Sequence, residues 1–104
     1  GAPEDEVQAW LDGAIAAGRL ALELDPQGEA TRRALAQPLT VRAERQLAGE
    51  NADAAAVERL LAEAAPLVGL DPPAPGVALA ELQALAASLR ELLGEAQPVP
   101  RPGR

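Results

Sequence analysis

The 104-residue chain contains no cysteine, histidine, lysine, methionine, phenylalanine or tyrosine, and Trp10 is its only aromatic residue. Without Cys or His it has no thiolate nucleophile, no disulfide, no imidazole base and no ordinary zinc or haem ligand. Without Lys it cannot form a Schiff base. Ser88, Thr31 and Thr40 are the only hydroxyl side chains, and the chain offers no base to activate them. We therefore expect a protein that is not an enzyme and that holds no cofactor or metal ion.

Strand-forming residues are also scarce, with six valines and one isoleucine, whereas 25 alanines and 17 leucines favour helix. The hydrophobic fraction of 48% is typical of a globular domain, and the length suits one domain. We predict an all-α fold, a single antiparallel bundle of four to five helices over residues 3–96, followed by a proline-rich tail over 97–104. Because alanine is small, the helices should approach one another closely.

Sixteen acidic and nine basic residues give a formal net charge of −7. Since an acidic surface repels phosphate backbones and anionic membranes, we expect neither a nucleic-acid partner nor a membrane partner. No apolar run approaches the ~18 residues of a membrane span. The lack of cysteine fits a reducing compartment, so we expect a cytoplasmic protein. The tail resembles a linker, which suggests a domain taken from a longer protein.

Proline, glycine and capping residues divide the chain into five predicted helices, at about 3–24, 26–36, 39–48, 54–65 and 77–96. Pro38 should break or kink the chain between the second and the third, because proline disfavours helical geometry in the residue before it. Asn51 or Asp53 should cap the fourth. Two apolar stripes on the first helix predict that it touches two neighbours.

Four of the nine arginines, Arg32, Arg33, Arg42 and Arg45, fall in a segment that contains a single acid, Glu44. Because guanidinium groups pair with carboxylates in a bidentate manner, this segment is a candidate docking patch for an acidic peptide. The alternative, which we favour, is that these arginines neutralise flanking helices. The first 25 residues hold six acids and one arginine, and residues 50–96 hold eight acids and two arginines.

The last predicted helix has two overlapping heptad repeats of leucine and alanine. Both repeats cannot face one neighbour, so the helix is either buried between two partners or has one repeat outside. Leu85, Leu89 and Leu92 are therefore candidates for lining a groove that binds a partner helix. Trp10 is either an exposed binding residue or the largest core residue. We favour the core, because neighbouring alanines leave room for it.

Two partial resemblances involve helical repeat families. The string from Ala21 to Pro26 (ALELDP), preceded by Ala14, resembles the end of a tetratricopeptide repeat, which would imply an array of helix pairs that binds peptides. The aromatic residues that a next repeat needs are missing. The chain length and the early tryptophan resemble a single spectrin-like repeat, a three-helix spacer. Pro38 and Pro66 interrupt the long second helix of such a repeat, and we assign the chain to neither family.

The sequence thus predicts a non-catalytic protein–protein interaction module, an adaptor or docking domain. It would bind a partner helix on leucine anchors or an acidic peptide on the arginines. The alternative is a structural role, as a spacer or as a homodimerisation bundle whose last helix pairs with its own copy.

Overall fold

The computed structural model describes residues 3–50 and 52–96, and within that range it contains helices and no strand. Its elements are four α-helices and one 3₁₀ turn: α1 (Pro3–Leu24), α2 (Glu29–Ala48), α3 (Ala54–Ala64), the 3₁₀ turn (Ala65–Val68) and α4 (Leu79–Ala96). They fold into a compact body with a radius of gyration of 14.1 Å. The all-α prediction is confirmed. The predicted tail, 97–104, lies outside the described residues.

Local signals set the ends of α1 and α3. α1 begins at Pro3, where a proline loses no helical hydrogen bond because the first turn has no intrahelical acceptors. Asp53 caps α3, since its carboxylate accepts hydrogen bonds from the backbone N–H groups of Ala55 (3.1 Å) and Ala56 (3.3 Å). The bounds predicted for these two helices agree with the structure to within one residue.

Pro38 does not end a helix, and the prediction of two helices there is wrong: α2 runs through it without interruption. An interior proline cannot donate to the carbonyl of Ala34 and costs about 3 kcal/mol. Burial offsets this cost, because Pro38 is buried and the nearby Leu35 and Leu39 are 1% and 0% exposed. Tertiary packing therefore overrides the local preference of proline.

α2 is the central helix of the fold. It packs against α1, α3, α4 and the 3₁₀ turn, and the core lies along the lines of contact. The connected cluster at its centre is built almost entirely of leucine and alanine, with one residue from α1 and the rest from the other three helices: Ile15, Leu35, Leu39, Ala43, Val57, Leu61, Ala64, Leu82, Ala86 and Leu89. Leu11 of α1 is also fully buried. The other three α-helices therefore all pack against α2, and α3 and α4 also pack against each other.

The backbone of α1 comes close to α2 and to no other described element, while the Arg19 side chain reaches Glu63 of α3. α1 therefore touches two neighbours, as predicted, but packs closely on only one of them. Leu11 and Ile15 are buried, at 0% and 4% exposed. Gly18 lies so close to α2 that a Cβ atom built on it would be 3.1 Å from the Cα atom of Leu35. The absence of a side chain at Gly18 is therefore what allows the two helices to approach, as the small-residue composition predicted.

Replacing Gly18 with valine should force α1 and α2 apart and destabilise the protein by about 2 kcal/mol, the range seen when cores are overpacked. Gly13→Val is the matched control, because a Cβ atom at Gly13 meets nothing within 4 Å. Its effect should stay within about 0.5 kcal/mol. Urea unfolding followed by circular dichroism measures both. Equal stability of the two variants would show that Gly18 is not a close contact.

Candidate functional site

The four arginines of α2 do not form one patch. Arg32 and Arg33 lie near the start of the helix, whereas Arg42 and Arg45 lie in its second half. Ten residues of helix separate the two pairs by about 15 Å along the axis. Each pair consequently has different neighbours and is described by itself.

Arg42 connects α2 to α1. Its guanidinium donates to the carboxylate of Asp12 and, at 3.3 Å, to the side-chain oxygen of Gln8. Its side chain is 27% exposed. Arg45 is exposed, with no ion pair in the described part of the chain. At Arg42 the structure thus supports the alternative stated above, in which arginine neutralises an acidic neighbouring helix.

Two further ion pairs join helices and have bidentate geometry. Arg19 of α1 donates to both carboxylate oxygens of Glu63 in α3 (2.8 and 2.7 Å), and Arg90 of α4 donates to both oxygens of Glu44 in α2 (3.1 and 2.5 Å). The hydrogen bonds from these arginines to the carboxylates raise the pKa of Arg19 and the pKa of Arg90 above the ordinary arginine value. Both arginines therefore remain cationic wherever the protein is folded.

Arg32 and Arg33 line a groove between the start of α2 and the end of α4. We call it the α2–α4 groove. Its volume is about 280 Å³, and its walls are Glu29, Arg32, Arg33, residues 66–69 and Leu92. The structure therefore brings together three of the seven residues that the sequence predicts for partner binding, namely two arginines and one leucine.

The two arginines of this groove differ in their partners. Arg33 donates to the carboxylate of Glu29, one helical turn away, at 2.9 Å. The Nε–H group of Arg32 is buried and has no acceptor among the described residues. A buried donor without a partner costs about 1–3 kcal/mol. Arg32 is therefore the one residue lining this groove whose buried donor lacks an acceptor within the described chain.

The three leucines predicted to line a groove on α4 lie in different environments. Leu89 is fully buried in the core. It is therefore a packing residue and is not exposed to a partner. Leu85 is half-buried against the same core, and Leu92 is 37% exposed. Of the two heptad repeats on α4, the one that contains Ala86 and Leu93 faces the core. Part of the other repeat, at Leu92, lies at the surface.

Trp10 is 61% exposed, so its predicted place in the core is wrong. It lies at the edge of a groove of about 350 Å³ between α1 and α2, with Ala14, Ala34 and Pro38 among the lining residues. The alanines beside it are the feature that suggested a space for its ring. In the structure that space is a groove open to solvent, and among the described elements only α2 packs closely against α1.

The outer face of α1 is an exposed apolar surface that was not predicted. Leu20 and Leu24 are 60% and 82% exposed and lie on the same side of the helix as Trp10. The spacing of Leu20 and Leu24 from Trp10 could have revealed this face, because it places all three residues on one side of the helix. Leu11 and Ile15, which are buried, lie on a different side.

The remaining chemistry-bearing groups do not form a centre. Thr40 is buried, and its hydroxyl donates to the carbonyl of Ala36 at 2.8 Å. In the described residues no three Asp or Glu side chains are grouped closely enough to hold a metal ion. Over the same residues, none of the helices combines the length and the hydropathy that crossing a bilayer requires.

Comparison with known proteins gives no match to a family model, to a curated protein or to a solved structure. Function is therefore argued from the residues and contacts of this chain.

Arg42→Ala should destabilise the protein by about 0.5–1 kcal/mol, because α1 loses its charged contact with α2. Arg45→Ala removes the same charge from an exposed position and should change stability by less than about 0.5 kcal/mol. The difference should shrink at high ionic strength, because salt screens exposed ion pairs. Thermal and urea unfolding at low and high salt measure it. Equal losses for the two variants would contradict a specific contact of Arg42 with α1.

Proposed function

We propose that this domain is a non-catalytic docking module that binds an acidic segment of a partner protein in the α2–α4 groove. The observation that supports the proposal is the buried Nε–H group of Arg32, which has no acceptor in the described residues. A carboxylate of the partner would supply that acceptor, after a small movement of the arginine side chain. Charge-assisted hydrogen bonds of this kind contribute about 1.5–3 kcal/mol.

The groove also specifies the kind of acidic segment. Leu92 and the residues of the 3₁₀ turn, Leu67 and Val68, supply apolar surface beside the two arginines. A segment with a carboxylate next to an aliphatic side chain would satisfy both parts of the groove. Glu29 already pairs with Arg33, so a ligand carboxylate would share that arginine or displace Glu29 from it.

The remaining elements of the sequence hypothesis belong to the same proposal. The adaptor would act in the cytoplasm, without a cofactor, and its partner would be a protein and not nucleic acid. Binding of a partner helix to a groove lined by Leu85, Leu89 and Leu92 is the less favoured version, because Leu89 is fully buried.

The test uses a displayed random-peptide library selected on the purified domain, followed by fluorescence anisotropy with the selected peptides. We expect peptides rich in Asp and Glu that also carry an aliphatic residue. The double reversal Arg32→Glu with Arg33→Glu should weaken their binding at least about tenfold, which corresponds to 1.4 kcal/mol. Arg32→Lys should restore only part of the affinity, since lysine keeps the charge but lacks the planar guanidinium.

The matched control is the double reversal Arg45→Glu with Arg59→Glu, which changes the net charge of the chain equally and leaves the groove intact. Both of these arginines are exposed. Circular dichroism establishes that each variant is folded. If the control weakens binding as much as the groove variant does, the peptides are held by overall charge, and the proposed site is wrong. If the selection returns no acidic peptides, the proposed ligand is wrong.

A further inference from the structure

α1 has an apolar seam that faces solvent. Trp10, Gly13, Ala17, Leu20 and Leu24 follow one another at intervals of three, four, three and four residues, which is the heptad spacing that places side chains along one face of a helix. We call these five residues the α1 seam. All five are exposed, with Trp10, Leu20 and Leu24 at 61%, 60% and 82%. The seam is about 21 Å long, since each residue rises 1.5 Å.

α1 packs closely on α2 through the side that carries Leu11, Ile15 and Gly18. The seam lies on the other side, apart from Trp10, which borders the groove between α1 and α2. Exposed apolar side chains that line up along one helix face are candidates for an interaction surface, unlike apolar residues scattered singly over a protein. A second helix with small residues at the right positions would fit it.

The seam is complementary to itself when two copies run antiparallel. In the register that places Leu24 opposite the partner's Gly13, Leu20 falls opposite the partner's Ala17. Each leucine then meets a small residue, so the two helices can approach closely and fill the space between them. Trp10 covers the partner's Gln27, in the turn between α1 and α2. An isologous contact of this kind is what a two-fold dimer requires.

A parallel pair fits the same residues poorly. It places Gly13 opposite the partner's Gly13 and Ala17 opposite the partner's Ala17, which leaves space between the helices, and it stacks leucine on leucine. It also brings Glu6 against the partner's Glu6, because Glu6 lies four residues before Trp10 on the same face and is exposed. Antiparallel pairing separates these carboxylates and aligns the helix dipoles favourably.

We propose that the α1 seam is the interface of a weak antiparallel homodimer. This inference is independent of the acidic-peptide function, since it uses another helix and another side of the molecule. A single helix face of this length buries much less than the ~800 Å² per partner of standard interfaces. The dimer should therefore dissociate on dilution. Each copy carries a charge of −7, so salt should strengthen the dimer by screening the repulsion.

The salt dependence separates this inference from the proposed function. Peptide binding to Arg32 and Arg33 should weaken as salt rises, whereas self-association through the α1 seam should strengthen. Peptide binding can therefore fail while the dimer forms, or the reverse. The sign of the salt effect and the two sets of variants tell these outcomes apart.

Sedimentation equilibrium over a wide concentration range tests the dimer, with the fluorescence of Trp10 as a second readout. We expect a monomer–dimer equilibrium and a blue shift of the emission as concentration rises. Leu20→Glu should raise the dissociation constant at least about tenfold, because it buries an unpaired carboxylate in the interface. Ala87→Glu, at an exposed position of α4 outside the α2–α4 groove, is the control and should leave the equilibrium unchanged. If Leu20→Glu does not fold by circular dichroism, Ala17→Glu replaces it.

The orientation is tested by cross-linking, which is simple because the chain has no cysteine. Gly13→Cys and Leu24→Cys both fall on exposed positions. A short bis-maleimide should link the first variant to the second in a mixture, in preference to linking either variant to itself. Preferential self-linking would overturn the antiparallel register. A monomer at every concentration, or a dimer that Leu20→Glu leaves intact, would overturn the interface.

Discussion

Burial of leucine and alanine around α2 is the interaction on which the rest of the structure depends. α1, α3 and α4 each pack against α2, and Leu35, Leu39 and Ala43 of this helix are almost completely buried. Because several neighbours cover α2, its apolar residues are not confined to one stripe. The same burial explains why α2 tolerates Pro38 in its interior, since breaking the helix there would expose more apolar surface than one missing hydrogen bond costs.

The alanine-rich composition has a second consequence, which concerns α1. Small side chains let the helices approach closely, as Gly18 and Leu35 do. The small core covers only one side of α1, because the backbone of α1 comes close to α2 and to no other described element. Its other side therefore carries Trp10 and Leu24 into solvent. If α1 pairs with a second copy, the dimer presents two α2–α4 grooves, and a partner with two acidic segments would bind more tightly than either segment alone.

Much of the fold was predictable from local signals, and little of the surface was. Proline at the start of α1 and Asp53 before α3 act on the neighbouring backbone alone, so the sequence reveals their effect. Trp10 and Leu89 are different, because their burial depends on which helices lie next to them. Heptad spacing identifies an apolar face on both helices but does not tell which face meets α2. Opposite charges predict that Arg42 pairs with an acidic residue of a neighbouring helix. They do not predict that this residue is Asp12.

The central claim is that α1 packs closely on α2 alone, with its far side open to solvent. Acrylamide quenching of Trp10 fluorescence, measured at high dilution, tests this most directly, since the chain has no other tryptophan. The structure predicts a quenching constant well above that of a buried tryptophan, because Trp10 is 61% exposed. A ring that resists quenching and emits at short wavelength in the dilute monomer would contradict the account, because it would place Trp10 inside the core.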